Sequence, residues 1–138
     1  MTNRHFRHKT LAAILAFFLG WAGAHWWYLG RRMPWLPLLF SGVVLGLAAW
    51  RDTPLTSQLG TYYLFLIPLV AGFVESLVLC LMEDRRFDAR YNPGQSRQSR
   101  NGWGAVILAI VFLLAGMAIV MSHVVAISLA MVEGTLRL

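Results

Sequence analysis

The chain has 138 residues, of which 58% are hydrophobic and 13% are charged. Soluble domains carry about 25% charged residues, so this composition excludes an ordinary water-soluble domain and indicates a membrane protein. The net charge of +6 is typical of membrane proteins whose loops face anionic headgroups or the cytoplasm. We therefore expect membrane lipids as partners and no nucleic acid.

Four apolar segments predict an all-α, polytopic membrane protein with four transmembrane helices. The first three are about 27–32 Å long as helices, which matches a hydrocarbon core of about 30 Å. The chain begins with a basic tail (1–9), a two-transmembrane-helix hairpin (10–50) and a polar loop (51–61). A third span (62–82), an arginine-rich loop (83–102) and a fourth span with its tail (103–138) follow.

Charged residues, glycines and prolines along the chain refine these limits and predict helices near residues 10–24, 34–50, 62–90 and 103–132. The turn Gly30-Arg31-Arg32 predicts that the first two helices are tightly packed antiparallel neighbours. The third helix is expected to continue into the arginine-rich loop until Asn92-Pro93-Gly94 stops it. The residues after Pro93 are expected to be poorly packed.

Small residues at four-residue spacing indicate how the first two helices pack. Ala12, Ala16 and Gly20 form such a ladder in the first helix, and Gly42 and Gly46 form one in the second. Lipid supplies no hydrophobic force between helices, so close backbone approach at small residues matters. The two ladders are therefore predicted to contact each other.

The segment FLGWAGAHWWYLGR, from Phe18 to Arg31, resembles the signature of the TM-two domain family, whose helix junction typically reads G-x-G-A-H-R-F-Y-L-G-R. The later EDRRFDARYNPG, residues 83–94, is similar to a stretch that follows a third helix in bacterial members. The resemblance implies two antiparallel membrane helices joined by a junction that faces the cytosol. It implies no biochemical activity. Trp26 stands where the family usually has arginine, which puts a charged role at this position in doubt.

Charge distribution gives an expected orientation in the cell inner membrane. With four spans, the junction at residues 25–32 and the loop at residues 83–102 share one face, and the basic tail lies on the other. Seven basic residues on the junction face against five on the opposite face favour a cytoplasmic junction by the positive-inside rule. This multi-pass arrangement places both termini outside.

Glu75 is the acidic residue inside the third span, where a carboxylate costs several kcal/mol unless it is protonated, paired or hydrated. Counted along the helices, Glu75 and His25 differ in depth by roughly 2 Å. We therefore predict an intramembrane polar pair of these two residues. Two interpretations stay open: the pair fastens the fold, or it forms a proton or ligand site.

Aromatic and basic side chains around the junction suit the headgroup level, where rings fix depth and guanidinium groups reach phosphate. They form either a general interfacial belt or a selective lipid site. Phe87 and Tyr91 are expected to pack against the junction. The predicted headgroup or partner contacts are Trp26, Trp27, Tyr28, Arg31, Arg32, Arg85, Arg86 and Arg90.

The sequence predicts no catalytic residue, no metal site and no cofactor, because it has no nucleophile–base motif, nucleotide fingerprint or histidine–cysteine cluster. The first interpretation is a scaffold, accessory subunit or regulator that binds lipids, a membrane-protein partner or a second copy. The alternative is an oligomeric transporter or channel component with a polar path at Glu75 and His25.

Overall fold

The structure is a computed structural model that describes residues 6–50, 55–100 and 102–136. Within these ranges the regular secondary structure is all helix, with no strand, so the predicted all-α class is confirmed there. The helices are α1 (Lys9–Leu19), α2 (Ala24–Leu29), α3 (Leu36–Trp50), α4 (Leu55–Leu81), α5 (Asp84–Tyr91) and α6 (Gly102–Leu136).

Helix α4 is the centre of the bundle, and α1, α3 and α6 all pack against it. Buried positions recur every three or four residues along its described part and so form one face of the helix; they are Pro68, Gly72, Ser76 and Leu79, with Cys80 buried beside the last of them. Helix α6 meets the bundle through an equivalent stripe, Ala105, Ala109, Phe112 and Gly116. The other faces of α6 are apolar and exposed, as expected for a surface that contacts lipid.

Two helices of the described chain are long and apolar enough to cross a membrane, at Leu64–Leu81 and Gly102–Gly134. Two shorter apolar helices occur at Lys9–Leu19 and Leu36–Leu47. With a rise of 1.5 Å per residue, α1 is only about 16 Å long, roughly half of a hydrocarbon core. Transmembrane helices are therefore supported, whereas the count of four spans stays a prediction.

Helices α1 and α2 form a short hairpin that reverses inside the bundle. The reversal is at residues 20–23, where Gly23 adopts the left-handed conformation with φ of 71°. The hairpin closes where the backbone N–H of His8 donates to the hydroxyl of Tyr28 at 2.7 Å. The prediction of one helix running through to residue 24 is therefore wrong, because the glycine turn interrupts it and sends the chain back.

The start of α1 lies at the same end of the bundle as the junction and the α5 region. The Lys9 ammonium donates to the Met82 carbonyl at 2.5 Å and to Asp84 Oδ1 at 2.7 Å. The backbone N–H of Arg7 donates to Asn92 Oδ1 at 2.9 Å. The expected placement of the tail opposite the junction is thus wrong from residue 6 onward, because the α1–α2 hairpin returns to the level where it begins.

The small-residue ladder of the first helix is buried, but its partner is α4. A Cβ atom built on Gly20 would lie 2.5 Å from the Cα of Gly72. Equivalent atoms on Gly42 and Gly46 would meet nothing within 4 Å. The predicted packing of Ala12, Ala16 and Gly20 against Gly42 and Gly46 is wrong, since α3 packs on α4 and leaves these two glycines exposed.

The third helix differs from its predicted limits at both ends. It begins at Leu55, within the segment expected to be a polar loop, and ends at Leu81. Glu83 has an extended backbone with ψ of 137°, which separates α4 from α5. The Lys9 ammonium binds the Met82 carbonyl at this break, so a tertiary contact satisfies a helix-end carbonyl.

The segment after Pro93 makes hydrogen bonds to α5 through Ser99. Ser99 donates its backbone N–H to Asp88 Oδ2 at 2.6 Å and its hydroxyl to Asp88 Oδ1 at 2.7 Å. The guanidinium of Arg97 also lies 4.9 Å from the ring centre of Phe6. The expectation of poor packing is therefore wrong at Ser99, which binds a carboxylate one turn before the end of α5, whereas most of the other residues from 94 to 100 are exposed as expected.

Candidate functional site

Glu75 is the centre of a polar cluster between α2 and α4. Its Oε2 accepts hydrogen bonds from Nε2 of His25 and, at 2.8 Å, from the indole N–H of Trp26. Its Oε1 accepts from Nη1 of Arg31 at 2.8 Å. The His25 side chain is 2% exposed and that of Glu75 is 28% exposed. The structure thus brings together the two residues that the sequence paired by depth, and it adds two further donors.

Two glycines position the hydrogen-bond donors of α2 next to α4. Gly23 and Gly30 flank the six-residue α2 and have φ values of 71° and 65°, in the left-handed region that favours glycine. The short helix between them directs His25 and Trp26 toward Glu75. Arg31 follows directly, and its guanidinium carbon lies 4.9 Å from the Trp26 ring centre.

Trp26 belongs to this polar cluster, and its predicted headgroup or partner contact stays a prediction. Its indole N–H supplies a hydrogen-bond donor to Glu75. Indole supplies one N–H donor and no charge. The nearby charge comes from Arg31.

Arg31 remains a cation in this setting. Partial burial lowers the pKa of its guanidinium, but hydrogen bonds with Tyr91 and Glu75 outweigh burial and hold the pKa above its ordinary value. The Glu75–Arg31 pair is neutral as a unit, so His25 does not need a positive charge to balance the carboxylate. An ion pair with further hydrogen bonds is the arrangement that makes burial of a carboxylate tolerable.

Nδ1 of His25 is buried and has no hydrogen-bond partner within the described part of the chain. With the proton on Nε2, a neutral imidazole donates to Glu75 and leaves Nδ1 as an acceptor. Glu75 also borders an open groove of about 590 Å³ along α4. The other residues that line this groove are Leu66, Ile67, Val70, Ala71 and Val74.

The remaining predicted contact residues lie around the same end of the bundle. Trp27 is 58% exposed, whereas the Tyr28 hydroxyl accepts the His8 N–H. Arg32, Arg85, Arg86 and Arg90 are exposed. Phe87 and Tyr91 are buried in one cluster with Leu29 of α2, so they pack at the junction as expected.

Sequence reasoning missed three residues at this end: Arg7, Lys9 and Asn92. Asn92 joins the tail to α5, because its amide N–H also donates to the Arg7 carbonyl at 3.0 Å. Lys9 is 4% exposed, which is rare for lysine without a partner. The sequence offers one indication, a lysine at the start of an apolar helix. Its partners, the Met82 carbonyl and Asp84, are visible only in the tertiary structure.

The described residues contain no group of three or more histidine, cysteine, aspartate or glutamate side chains arranged to hold a metal ion. The acids of the α5 region engage other groups instead. Asp84 pairs with Lys9, and Glu83 Oε2 lies 3.6 Å from Arg86 Nε.

Comparison with known proteins tests the resemblance. Residues 5–53 match the model of the TM2 domain. The resemblance is thereby confirmed for a segment that contains α1, α2 and the donors His25, Trp26 and Arg31. Glu75 and α4 to α6 lie beyond the matched TM2 segment.

The chain is also similar to YozV of Bacillus subtilis (strain 168), an uncharacterized membrane protein. The two are 29% identical over 86 residues, which cover 62% of this chain and 82% of YozV. No solved structure matches the chain significantly. The TM2 match, this relative and the apolar helices together support a membrane protein.

Proposed function

We propose that this TM2-domain chain is a multi-pass inner-membrane protein that acts as a scaffold, accessory subunit or regulator by binding lipids, a membrane-protein partner or a second copy, and that it is not an enzyme. The observation that carries the proposal is the polar cluster at Glu75. Both carboxylate oxygens already accept donors from the chain itself. General acid–base catalysis needs a group that can reach a substrate proton, and both oxygens of this carboxylate are engaged in joining α2 and Arg31 to α4.

Apolar surface supports a binding role. Helices α3 and α6 keep large apolar side chains exposed along most of their length; Leu39 of α3 is 56% exposed and Leu114 of α6 is 68% exposed. Such surfaces accept lipid chains or the helices of other membrane proteins.

Charge supports a cytoplasmic position for the end of the bundle that carries the junction. Basic residues concentrate there, which is the pattern of cytoplasmic segments in inner-membrane proteins. The tail from residue 6 and the loop that includes α5 then form one cytoplasmic contact surface. Its exposed or half-buried basic residues in the described chain are Arg7, Arg31, Arg32, Arg85, Arg86, Arg90, Arg97 and Arg100.

Crosslinking in native membranes followed by mass spectrometry tests this proposal. We expect reproducible crosslinks from the contact surface to one membrane protein or to a second copy. Glu75→Leu should weaken them, because it releases the hairpin that presents half of the surface, whereas Val78→Leu, an exposed apolar change on the same helix, should preserve them. Crosslinks no more specific than those of an unrelated membrane protein of equal abundance would overturn the partner role.

The alternative is an oligomeric transporter or channel component with a polar path at Glu75 and His25. The unpartnered Nδ1 of His25 and the opening of Glu75 onto the α4 groove favour it, since a second copy covering this groove would enclose the carboxylate. Liposomes that contain only this protein would then show pH-dependent ion flux, and Glu75→Gln would abolish that flux. Flux equal to that of empty liposomes would exclude this function.

A further inference from the structure

Three arginines from separate parts of the chain surround one cleft at the junction end. The cleft has a volume of about 750 Å³. Arg7 comes from the tail, Arg31 from the junction and Arg90 from α5, and the aromatic rings of Tyr28 and Tyr91 form part of its wall. None of the nine described residues that line the cleft is acidic.

The guanidinium groups keep donors for a ligand after their internal contacts are counted. Nη1 of Arg7 donates to the Tyr91 carbonyl at 3.2 Å, and the Arg31 guanidinium donates to Glu75 and to the Tyr91 side chain. Arg90 lies over the Tyr91 ring, 5.7 Å from its centre. Each guanidinium has five N–H groups in a fork that matches phosphate oxygens. The cleft is therefore a cationic site for a phosphate group.

A second feature indicates that this phosphate belongs to a lipid. Arg31 lines the cleft, and its ion-pair partner Glu75 lines the apolar groove that follows α4. The Arg31–Glu75 contact thus places the polar cleft next to the open apolar groove of α4. A molecule with a charged head and a hydrocarbon chain fits both parts at once.

We propose that the cleft binds the phosphate headgroup of an anionic membrane lipid, with an acyl chain of the same lipid lying in the α4 groove. This inference rests on the proposed binding function and names the lipid class for it. Arg7 and Arg90 neutralise the phosphate, Arg31 adds hydrogen-bond donors while Glu75 balances its charge, and the groove supplies apolar contact. The α1–α2 hairpin is essential to the site, because it returns the chain to the level of Arg7 and so places Arg31 beside it.

Native mass spectrometry of the full chain in detergent tests the proposal. The probes are phosphatidylglycerol, phosphatidylcholine and soluble glycerol phosphate. We expect preferential retention of phosphatidylglycerol over phosphatidylcholine, and weak retention of glycerol phosphate because it lacks the acyl chains. Arg90→Gln should weaken phosphatidylglycerol binding about tenfold, since a charge-assisted hydrogen bond is lost.

Arg85→Gln is the matched control, because Arg85 is an exposed arginine of the same short helix outside the cleft. It removes the same charge and should preserve lipid binding. Arg7→Gln should act like Arg90→Gln, and Arg90→Gln keeps the test decisive if Arg7→Gln fails to fold. A Val70→Asn change in the groove should weaken phosphatidylglycerol retention without raising that of glycerol phosphate.

Three results would overturn the lipid site. If Arg85→Gln and Arg90→Gln lost phosphatidylglycerol binding equally, the effect would come from overall charge and not from the cleft. Equal retention of the two phospholipids would show no headgroup selection, and glycerol phosphate binding as strong as phosphatidylglycerol binding would identify a soluble phosphate ligand. Protein crosslinks that persist in Arg90→Gln would leave the partner role standing while the lipid site fails, so the two proposals are separable.

Discussion

Gly20 and Gly72 hold α1 and α4 in direct backbone contact. A Cβ on Gly72 would lie 2.7 Å from the Cα of Gly20, closer than real Cβ atoms approach. The hairpin reverses immediately after this contact. The position of His25 and Trp26 opposite Glu75 therefore depends on two residues that have no side chain.

The first prediction concerns this contact. Gly20→Leu and Gly72→Leu should each lower stability by about 1–3 kcal/mol, because the added atoms force the helices apart. Gly46→Leu is the control; its site is open, and leucine favours helix more than glycine does, so stability should stay equal or rise. Thermal unfolding in one detergent measures all three. An equal loss in Gly46→Leu would contradict the assigned packing.

The second prediction concerns the Glu75 cluster. Glu75→Leu and His25→Leu should each destabilise the protein by about 1–3 kcal/mol, because each strands a buried polar partner. The double variant should lose less than the sum, since both changes disrupt the same network. His123→Leu is the control, because the His123 ring bonds only the Ile119 carbonyl of its own helix among the contacts found. Unfolding temperatures in a common detergent give the coupling, and strict additivity would refute it.

The third prediction concerns Lys9. Lys9→Met should cost about 1–3 kcal/mol, because it leaves the Met82 carbonyl and Asp84 without their buried cation. Arg86→Met is a suitable control, since the Arg86 side chain is 82% exposed and exposed ion pairs contribute little. Chemical denaturation at one salt concentration compares the variants. Similar midpoints for both would mean that Lys9 does not fasten α1 to the end of α4.

The fourth prediction is a pH dependence at Asp88. Partial burial raises the pKa of this carboxyl, but hydrogen bonds from Ser99 and Asn92 outweigh burial and hold the pKa below its ordinary value of 3.8. A lowered folded-state pKa stabilises the protein above the unfolded-state pKa, and this contribution is lost as pH falls through the folded-state pKa.

The measurement is the difference in unfolding temperature between the parent and Asp88→Asn. We expect a difference of roughly a few degrees at pH 7, which shrinks below pH 3.8 as the parent carboxyl becomes protonated. Glu83→Gln, at a side chain that is 61% exposed, provides the comparison. A difference that stays constant from pH 7 into the acid range would remove Asp88 as its source.

The fifth prediction concerns the sidedness of the tail. His8→Cys and Ser96→Cys, in a Cys80→Ala background, should label together and only after the inner membrane is permeabilised. Both positions are exposed, and the contacts of Arg7 and Lys9 with Asn92 and Met82 place them at one end of the bundle. Labelling of position 8 but not position 96 from outside would separate the tail from the loop and contradict the structure.

Local features of the sequence were sufficient for the helical class, the membrane setting and the need of Glu75 for a polar partner. Each follows from properties that act within one segment: apolar length and the cost of a buried carboxylate. The depth estimate reached the right partner from a wrong starting level, because it counted His25 from a tail placed opposite the junction, whereas the tail lies at the junction end and the chain turns back at residues 20–23.

Only the tertiary structure decided which small residues pack, where the tail lies and which arginines share a cleft. Gly20 and Gly42 carry the same local signal, but whether a glycine meets another backbone depends on the direction that the chain takes after residue 23. The left-handed turn at Gly23 brings Arg7 and Lys9 to the junction end. A reversal of this kind depends on contacts between segments far apart in the chain, which no local pattern records.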